Sequence, residues 1–313
     1  MANSPFVQRP DLTGIVTAFR NDEETFIADL IYPRLPVEDK SYQWDRFKDA
    51  TFFNMPDDLV GPTSRPNEIN WEAETLTGLV YDHYLQTPVP FGDLATASGK
   101  LFKLEQTASM FTTNAILLNR ERRAANLTFD LNQYAADLRV TLSGTSQFSH
   151  VDSDPIPVIK AALRRPWMRP NTMVFGAEAW DSFSSNRKIV EAVLGTGAAQ
   201  GNVTEQQVAS LFRVKTVAVG EAKGNLAALG QATNLGFLWG KHLSLLYVNP
   251  LSRYTVGMPP TWGISAQLGT RYAGTVADGQ MGGDGGEWVR VGEKINEHIV
   301  STRCGYFFQN AVA

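Results

Sequence analysis

Residues 67–90, "NEINWEAETLTGLVYDHYLQTPVP", alternate polar and apolar side chains for more than twenty positions. Ile69, Trp71, Ala73, Leu79, Tyr81, Leu85 and Val89 fall on one face of an extended chain, and Asn70, Glu72, Glu74, Asp82 and Gln86 on the other. A period of two is the pattern of a strand with one covered face. Strands in compact domains run to about five or six residues, whereas this run would reach about 70 Å at roughly 3.3 Å per residue. A domain of ordinary size cannot cover so long an arm by itself. The stretch therefore reads as two elements that bend at Gly78: residues 67–77 as the return leg of a projecting hairpin, and 79–89 as a strand joining a sheet.

The outgoing leg is "SYQWDRFKDATFF" (41–53), and "NMPDDLVGPTSRPN" between the legs is a cluster of breakers. Two β-forming runs around such a cluster predict a long β-hairpin. Its charge is one-sided. Asp45, Asp49, Asp57, Asp58, Glu68, Glu72 and Glu74 face only Arg46, Lys48 and Arg65 within 41–74, a surplus of four acids that equals the formal net charge of −4 for the whole chain.

Working outward, the period changes to helical after the hairpin. Leu101, Leu104, Ala108, Phe111, Ala115 and Leu118 recur at three- and four-residue steps, and Leu127, Leu131, Tyr134 and Leu138 resume the stripe. With neither Pro nor Gly from 101 to 140, one helix over 101–138 is predicted, about 55–60 Å long at 1.5 Å per residue, with a candidate break at "NLTFD". Arg120, Arg122 and Arg123 lie mid-helix and are expected to be mostly exposed. On the other side of the hairpin, residues 1–38 read as an arm interrupted by prolines, with one short helix around "NDEETFIADLIY" capped by Asn21.

Beyond residue 150 helices and strands alternate. "DPIPVIKAALRR" is a helix with Asp154 as cap and Pro155 at its first position. "NTMVFG" is a buried strand, "AEAWDSFSS" and "NRKIVEAVLG" are helices, the second ended by Gly195, and "TEQQVASLF" carries a Thr/Gln capping box. "RVKTVAVGEA", "LGFLWG", "HLSLLYVN" and "WGISAQL" read as strands, "GTVADGQMGGDGG" (274–286) as a flexible surface loop, and the remainder as a strand, a turn and a long strand.

Composition and motifs narrow the function. The 313 residues are 43% hydrophobic and 19% charged, with seven Trp and seventeen Phe, a folded-protein composition. The small net charge argues against a broad basic face for nucleic acid. No run approaches a membrane span and the start lacks a signal-peptide core. One cysteine, Cys304, fits a reducing compartment and reads as a buried thiol. The histidines His83, His150, His242 and His298 form no metal-ligand spacing; Asp154 beside His150 is explained as a helix cap. "GTGAAQG" (195–201) follows a helix rather than a strand and so is no dinucleotide fingerprint. There is no nucleophile elbow and no P-loop. No catalytic residue, cofactor or metal is expected. In "RRPWMR", Arg164, Arg165 and Arg169 bracket Trp167, either as a phosphate site or as a basic patch for an acidic partner.

The order of parts, with the local stretches "FIADLIYPRLPVEDKSYQWDRF", "PNTMVFGAEAWDSF", "NRKIVEAV" and "LFRVKTVAVGEA", resembles the Hong Kong 97-type major capsid proteins of tailed bacteriophages over nearly the whole chain. The resemblance implies an α+β fold with an N-arm (1–38), an extended hairpin loop and return strand (39–90), a peripheral domain with the spine helix (91–149), an axial domain (150–285) and C-terminal peripheral strands (286–313). It implies pentamers and hexamers of the chain itself, closing into an icosahedral shell around double-stranded DNA. Scaffolding and portal proteins and a decoration protein are the implied partners, with no membrane, and the product is a virion assembled in the host bacterial cytoplasm. The short N-terminal arm implies a separate scaffold. Some members crosslink a hairpin Lys to an Asn near the chain end; Lys48 with Asn296 or Asn310 would be the counterparts, and nothing in their spacing marks them. The alternatives are an encapsulin-like nanocompartment shell and an α/β enzyme with an unrecognised site. The hairpin acids (Asp45, Asp49, Asp57, Asp58, Glu68, Glu72, Glu74) are expected to meet Arg120, Arg122, Arg123, Arg164, Arg165 and Arg169 of a neighbouring subunit.

Overall fold

A computed structural model describes residues 6–19, 26–47, 53–61, 63–68, 73–92, 101–195, 201–228, 230–249 and 260–313. Fifteen strands are described: β1 (Val7–Gln8), β2 (Arg34–Val37), β3 (Ser41–Phe47), β4 (Ala73–Leu79), β5 (Tyr81–Pro90), β6 (Arg139–Thr141), β7 (Thr172–Gly176), β8 (Thr216–Gly220), β9 (Lys223–Asn225), β10 (Leu235–Phe237), β11 (Leu243–Leu246), β12 (Gly263–Leu268), β13 (Tyr272–Asp278), β14 (Gly286–Ile299) and β15 (Gly305–Gln309). The α-helices are α1 (Pro10–Ala18), α2 (Ala28–Ile31), α3 (Leu101–Thr128), α4 (Pro155–Ala162), α5 (Ala177–Ser184), α6 (Arg187–Leu194) and α7 (Glu205–Phe212).

β14 organises the first sheet. One of its edges pairs antiparallel with β13 over residues 286–292 and then with β12 over 295–299, and the other edge pairs with β5 over 286–295. β1 extends the sheet beyond β13, and β2 runs parallel to β12. The second sheet has the order β6-β15-β11-β7-β8, and β7, buried at every position, lies within it. Its core gathers Phe148, Phe175, Phe183, Phe212 and Phe308 beneath α4 to α7. The predicted caps are present: Asp154 accepts from Ile156 N, and Thr204 and Gln207 form the capping box of α7. Gly195 ends α6 at φ 97°, a backbone region open to glycine. Tyr134 stacks between Trp262 and Phe307 at 4.4 and 5.1 Å, and so joins the two sheets through one aromatic cluster.

The long helix is shorter than its pattern, and it turns a different face inward. α3 has 28 residues, about 42 Å at 1.5 Å per residue. It stops at Thr128, whose carbonyl accepts from Tyr134 Oη at 2.7 Å, and Asp130 caps a separate short turn over Leu131–Gln133. The expected stripe through Leu104, Phe111 and Leu118 is not the buried one, for Phe111 is 68% exposed. Glu105, Ser109, Thr112, Thr113, Ile116 and Arg120 point inward. The hydroxyls of Ser109, Thr112, Thr113 and Thr128 donate to the carbonyl four residues back at 2.6–2.8 Å. Satisfied in this way, they pack like small apolar groups and let the helix lie close to the sheet. Thr87 of β5 and Thr112 meet at 2.6 Å, while Val89, Ala108 and Val289 fill the space beside them.

β14 presents Val289, Val291, Glu293, Ile295 and Glu297 on one face, as a strand must. The two carboxylates enter an arginine network. Arg120 pairs with Asp29 at 2.7 Å and with Glu297 at 3.1 Å, Arg123 with Glu297 at 3.0 Å, and Arg34 with Asp29 at 2.7 Å and Glu293 at 3.2 Å. Arg271 closes the set on Glu293 at 3.2 Å. Burial works against the charges on Glu293 and Glu297, yet the guanidiniums hold both below the ordinary glutamate value. The same competition leaves Asp29 at about 2. Removing one member strands a buried charge, so Arg120→Met should lower the unfolding free energy of the unassembled subunit by about 3–5 kcal/mol in urea titrations.

Three expectations change here. α1 was not read from the sequence: Pro10 occupies its first position, where the missing N–H costs nothing, and Leu12 and Val16 are buried against Ile116, Ala273 and Val291. The expected helix around "NDEETFIADLIY" is described only as α2, and Asn21 lies outside the described residues. Residues 274–278, expected in a flexible loop, belong to strand β13, which pairs with β14 along one edge and β1 along the other; Gly274 fits there because a side chain would meet Val7 O at 2.4 Å.

A second charge pair has the opposite sign. Glu287 on β14 faces Glu105 on α3; burial first, and that neighbour second, push its carboxyl up to about 7. Its Oε1 is buried without a hydrogen-bond partner. A folded value raised above the ordinary 4.5 means that this group costs stability progressively as pH rises from about 4.5 to 7. Glu287→Gln should therefore raise the melting temperature more at pH 8 than at pH 5; equal shifts at both would show that the pair carries no pH dependence.

Candidate functional site

The hairpin is built on the register Ser41↔Leu79 to Phe47↔Ala73 between β3 and β4. The bend that divides it from the sheet strand falls at Val80, one residue between β4 and β5, rather than at Gly78. Val80 is buried and its N–H donates to Lys40 O at 2.8 Å. Gly78 answers a different need, since a Cβ there would sit 2.5 Å from the Tyr42 ring and 2.9 Å from Trp44.

These rings form the root of the hairpin. Tyr42 Oη and His298 Nδ1 are 2.9 Å apart, and the Trp44 and His298 ring centroids 4.4 Å. Asn296 Nδ2 donates to Leu79 O at 2.8 Å, and Lys40 pairs with Asp82. Burial lowers His298 to about 4, so the imidazole is neutral near pH 7 and stacks without a charge. A rigid root carries the hairpin away from the sheet. Gly78→Val should break this packing and loosen the hairpin while β14 stays in place, seen as faster amide exchange confined to 40–47 and 73–80.

Farther along, Met55 is 96% and Leu59 82% exposed, with Phe53 and Val60 partly so. Asp57, Asp58 and Glu68 are exposed among them. Asp57 organises the turn, its carboxylate accepting from Leu59 N at 3.1 Å and its carbonyl from Asn67 Nδ2 at 2.7 Å. The combination is an acidic, apolar projection, suited to adhesion with a partner that is apolar and basic.

The residues expected to take part separate into groups. Asp49 and Glu72 lie outside the described residues; Asp45 is placed on β3 by its backbone alone, and Glu74 is exposed on β4. Arg122 is exposed, and Arg123 is tied to Glu297. Arg120 corrects the expectation outright: it is 1% exposed and held by Asp29, Glu297 and Ser265, so it is a core residue and not an acceptor for a neighbour. The inward face of α3 is offset by about one residue from the apolar stripe, and that offset carries Arg120 inside.

Arg164, Arg165 and Arg169 are exposed around Trp167. Sequence reasoning missed two members of this patch. The Arg303 guanidinium lies 5.8 Å from the Trp167 ring centroid, and Arg165 lies 6.0 Å from that of Tyr306. More than 130 residues separate Arg303 from Trp167 in the chain, and no local signal links them. Of the crosslinking counterparts, Lys48 lies outside the described residues and Asn296 is engaged at the hairpin root.

A cleft of about 750 Å³ beside α2 and α3 is lined by Asp29, Arg34, Arg120, Glu121, Lys215 and Arg271, among others. Arg34, Arg120 and Arg271 already bind carboxylates there, and Glu121, raised to about 7 chiefly by burial, accepts from Ala28 N and Trp239 Nε1. Among the described residues no group of three or more His, Cys, Asp and Glu is placed to hold a metal, and no helix is long and apolar enough to cross a membrane.

No family model matches the chain. It is, however, 39% identical over 313 residues, the whole of both sequences, to the major capsid protein of Pseudomonas phage JBD67. The chain belongs to the phage major capsid proteins. A second capsid relative, from Burkholderia phage BcepMu, is 29% identical over 307 residues, covering 95% of this chain and 94% of that one. Among solved structures, a phage-related protein of Bordetella bronchiseptica RB50 superposes with a TM-score of 0.76 over 99% of both chains at 20% identity. The capsid of cyanophage P-SCSP1u follows at 0.56, with 8% identity over 93% of this chain and 90% of that one. The SrpI encapsulin of Synechococcus elongatus gives 0.51, with 13% identity over 93% and 90%. At such identities the structural likeness speaks to fold alone, and that fold is the Hong Kong 97-like capsid fold, α+β in composition. For a major capsid protein, the surfaces that matter are those that meet other copies, and the projecting hairpin and the Trp167 patch are the candidates.

Proposed function

We propose that this major capsid protein assembles, in the bacterial cytoplasm, into pentamers and hexamers that close an icosahedral phage head around double-stranded DNA. In this reading residues 1–38 are the N-arm, 39–90 the extended loop and its return strand, and 91–149 with 286–313 a peripheral domain. Residues 150–285 form the axial domain around the capsomer axes. A scaffold, a portal and a decoration protein are its partners, and its role is structural rather than catalytic.

The observation that carries the reading is the hairpin: a rigid root, an acidic surface, and Met55 and Leu59 left exposed at 96% and 82%. A lone subunit gains nothing from such a projection, whereas a neighbour can cover it. Arg122, Arg164, Arg165 and Arg169 are the exposed cations for its acids, now without Arg120. Exposed ion pairs contribute only about 0–1 kcal/mol each, so apolar contact and repetition over many copies supply most of the adhesion.

Deleting residues 50–66 should leave a subunit with native circular dichroism that forms no stable shells by electron microscopy. Shells of normal appearance from that deletion would refute the role given to the hairpin. The encapsulin likeness defines a second reading, a shell around a protein cargo, and the full-length relatives from two phages weigh against it. Particles purified from the producing bacterium decide between them: DNA inside supports the head, an enclosed enzyme the compartment.

A further inference from the structure

Among the described residues, β5 has a strand on one side only. Its ten residues, Tyr81–Pro90, pair with β14, and no other strand joins them. The register settles which backbone groups are used. Phe91, just past the strand, donates its N–H to Gly285 O at 2.9 Å, and Gly285 is the residue opposite it when the register is continued. In an antiparallel pair, opposed residues that bond to each other recur at every second position. Tyr81, His83, Leu85, Thr87 and Val89 therefore direct their backbone groups at β14. Those of Asp82, Tyr84 and Gln86 point the other way, along a free edge.

Such an edge is a template for another strand. Tyr81 and Leu85 of the same strand are 56% and 39% exposed, so pairing there would also cover apolar surface. A second copy carries the same edge and can meet it antiparallel across a two-fold axis. Outward groups sit at even positions, so even residues must oppose even residues, and two registers bring the open ones together best. The first puts the axis at Tyr84 and sets Val80 opposite Pro88 of the second copy. The Val80 N–H already donates to Lys40 O at 2.8 Å, so the Lys40 backbone stands where the incoming strand would have to run. The second puts the axis at Gln86 and clears Lys40. It sets Tyr84 opposite Pro88 and Asp82 opposite Pro90, where each proline lacks the N–H that the pairing needs and fills its place with ring atoms.

We propose that β5 is a latent self-pairing edge, closed in the free subunit by Lys40 against one register and by Pro88 and Pro90 against the other. The positions of the prolines fit this role. Within the sheet they oppose Trp288 and Gly286 at pairs that exchange no hydrogen bond, so neither takes a bond from β14. One residue earlier or later, each would break the ladder that holds β5 in the sheet. The consequence is that subunits meet through their assembly surfaces and not through a sheet extended from copy to copy. The inference goes beyond the shell reading and does not depend on it, since it concerns the subunit before any particle forms.

The test uses the full chain with Pro88→Val and Pro90→Val, to which Gln86→Cys is added. Gln86 is exposed and accepts from Arg290 at 2.9 Å, and the native Cys304 is buried, so an introduced thiol has little background. In the register about Gln86 the two new thiols face each other, with Cα atoms about 5.5 Å apart. After treatment with a short bis-maleimide, denaturing gels should show linked dimers from the valine-bearing chain and monomers from Gln86→Cys alone. Dimers from both chains, or from neither, would overturn the proposal. Asp82→Cys in the valine background checks the register, because two copies of residue 82 would then lie about 26 Å apart at roughly 3.3 Å per residue. It should stay monomeric, and linkage as strong as at residue 86 would count against pairing by showing random collision. Should the cysteine chains fail to give native circular dichroism, sedimentation velocity of the Pro88→Val, Pro90→Val chain replaces them. A dimer is expected at a concentration where the natural chain sediments as one subunit, and the same mass for both would overturn the guard.

Discussion

The fold turns on the buried arginine–carboxylate network between α3 and the first sheet. Arg120 and Arg123 descend from the helix, Glu293 and Glu297 rise from β14, Arg34 and Asp29 come from the N-terminal segment, and Arg271 enters beside β13. Segments far apart in the chain are thereby held in one register. Asp29, Glu293, Glu297, Arg34 and Arg120 each meet two or more partners, and that multiplicity offsets part of the desolvation of so many ions, although among the described residues Arg123 is held by Glu297 alone and Glu293 Oε1 is buried without a hydrogen bond. An apolar interface of the same area would slide more readily. Arg34 on Asp29 and Arg123 on Glu297 each engage both carboxylate oxygens, and such paired contacts restrict how α3 and the first sheet can shift against each other.

From that fixed frame the hairpin gains its direction. β14 pairs with β5 along ten residues, β5 passes through the buried Val80 into β4, and His298 near the end of β14 packs the Tyr42–Trp44 rings of β3. The same strand thus supports the helix on one face and anchors the root of the projection near its end. Distal to the root, Phe53 meets the Trp167 ring, while Met55 and Leu59 are left to solvent. Rigidity at the base with exposure at the tip is what a subunit needs if its arm is to reach a neighbour at a defined place.

Much of this was legible in the residues. The alternation over 67–90 identified both the return leg and the sheet strand, and the caps Asp154, Thr204 and Gly195 marked their helices, because these signals are local hydrogen-bond and backbone requirements. The bend was misplaced by two residues: Gly78 reads as a hinge in sequence, but it is small because Tyr42 and Trp44 lie against it. α3 was misread on its inner face for a related reason. Serine and threonine look polar in a sequence, yet once their hydroxyls are bonded to the preceding turn they can line a tight interface. Phe111 then faces outward, and Arg120 passes inside to carboxylates contributed by elements nearly a hundred residues or more away.

The sequence by itself determined the parts: a projecting acidic hairpin, one long helix, an alternating α/β region and terminal strands, each encoded by periodicity and capping within a few residues. Only the tertiary structure decided which arginines are free to meet another chain. Arg120 and Arg123 stand in the same short motif as Arg122 and look equivalent there. Two of them are consumed by Glu297 inside the subunit, while Arg122, with Arg164, Arg165 and Arg169, is left at the surface. The distinction depends on where distant carboxylates arrive in space, and no local pattern carries that information.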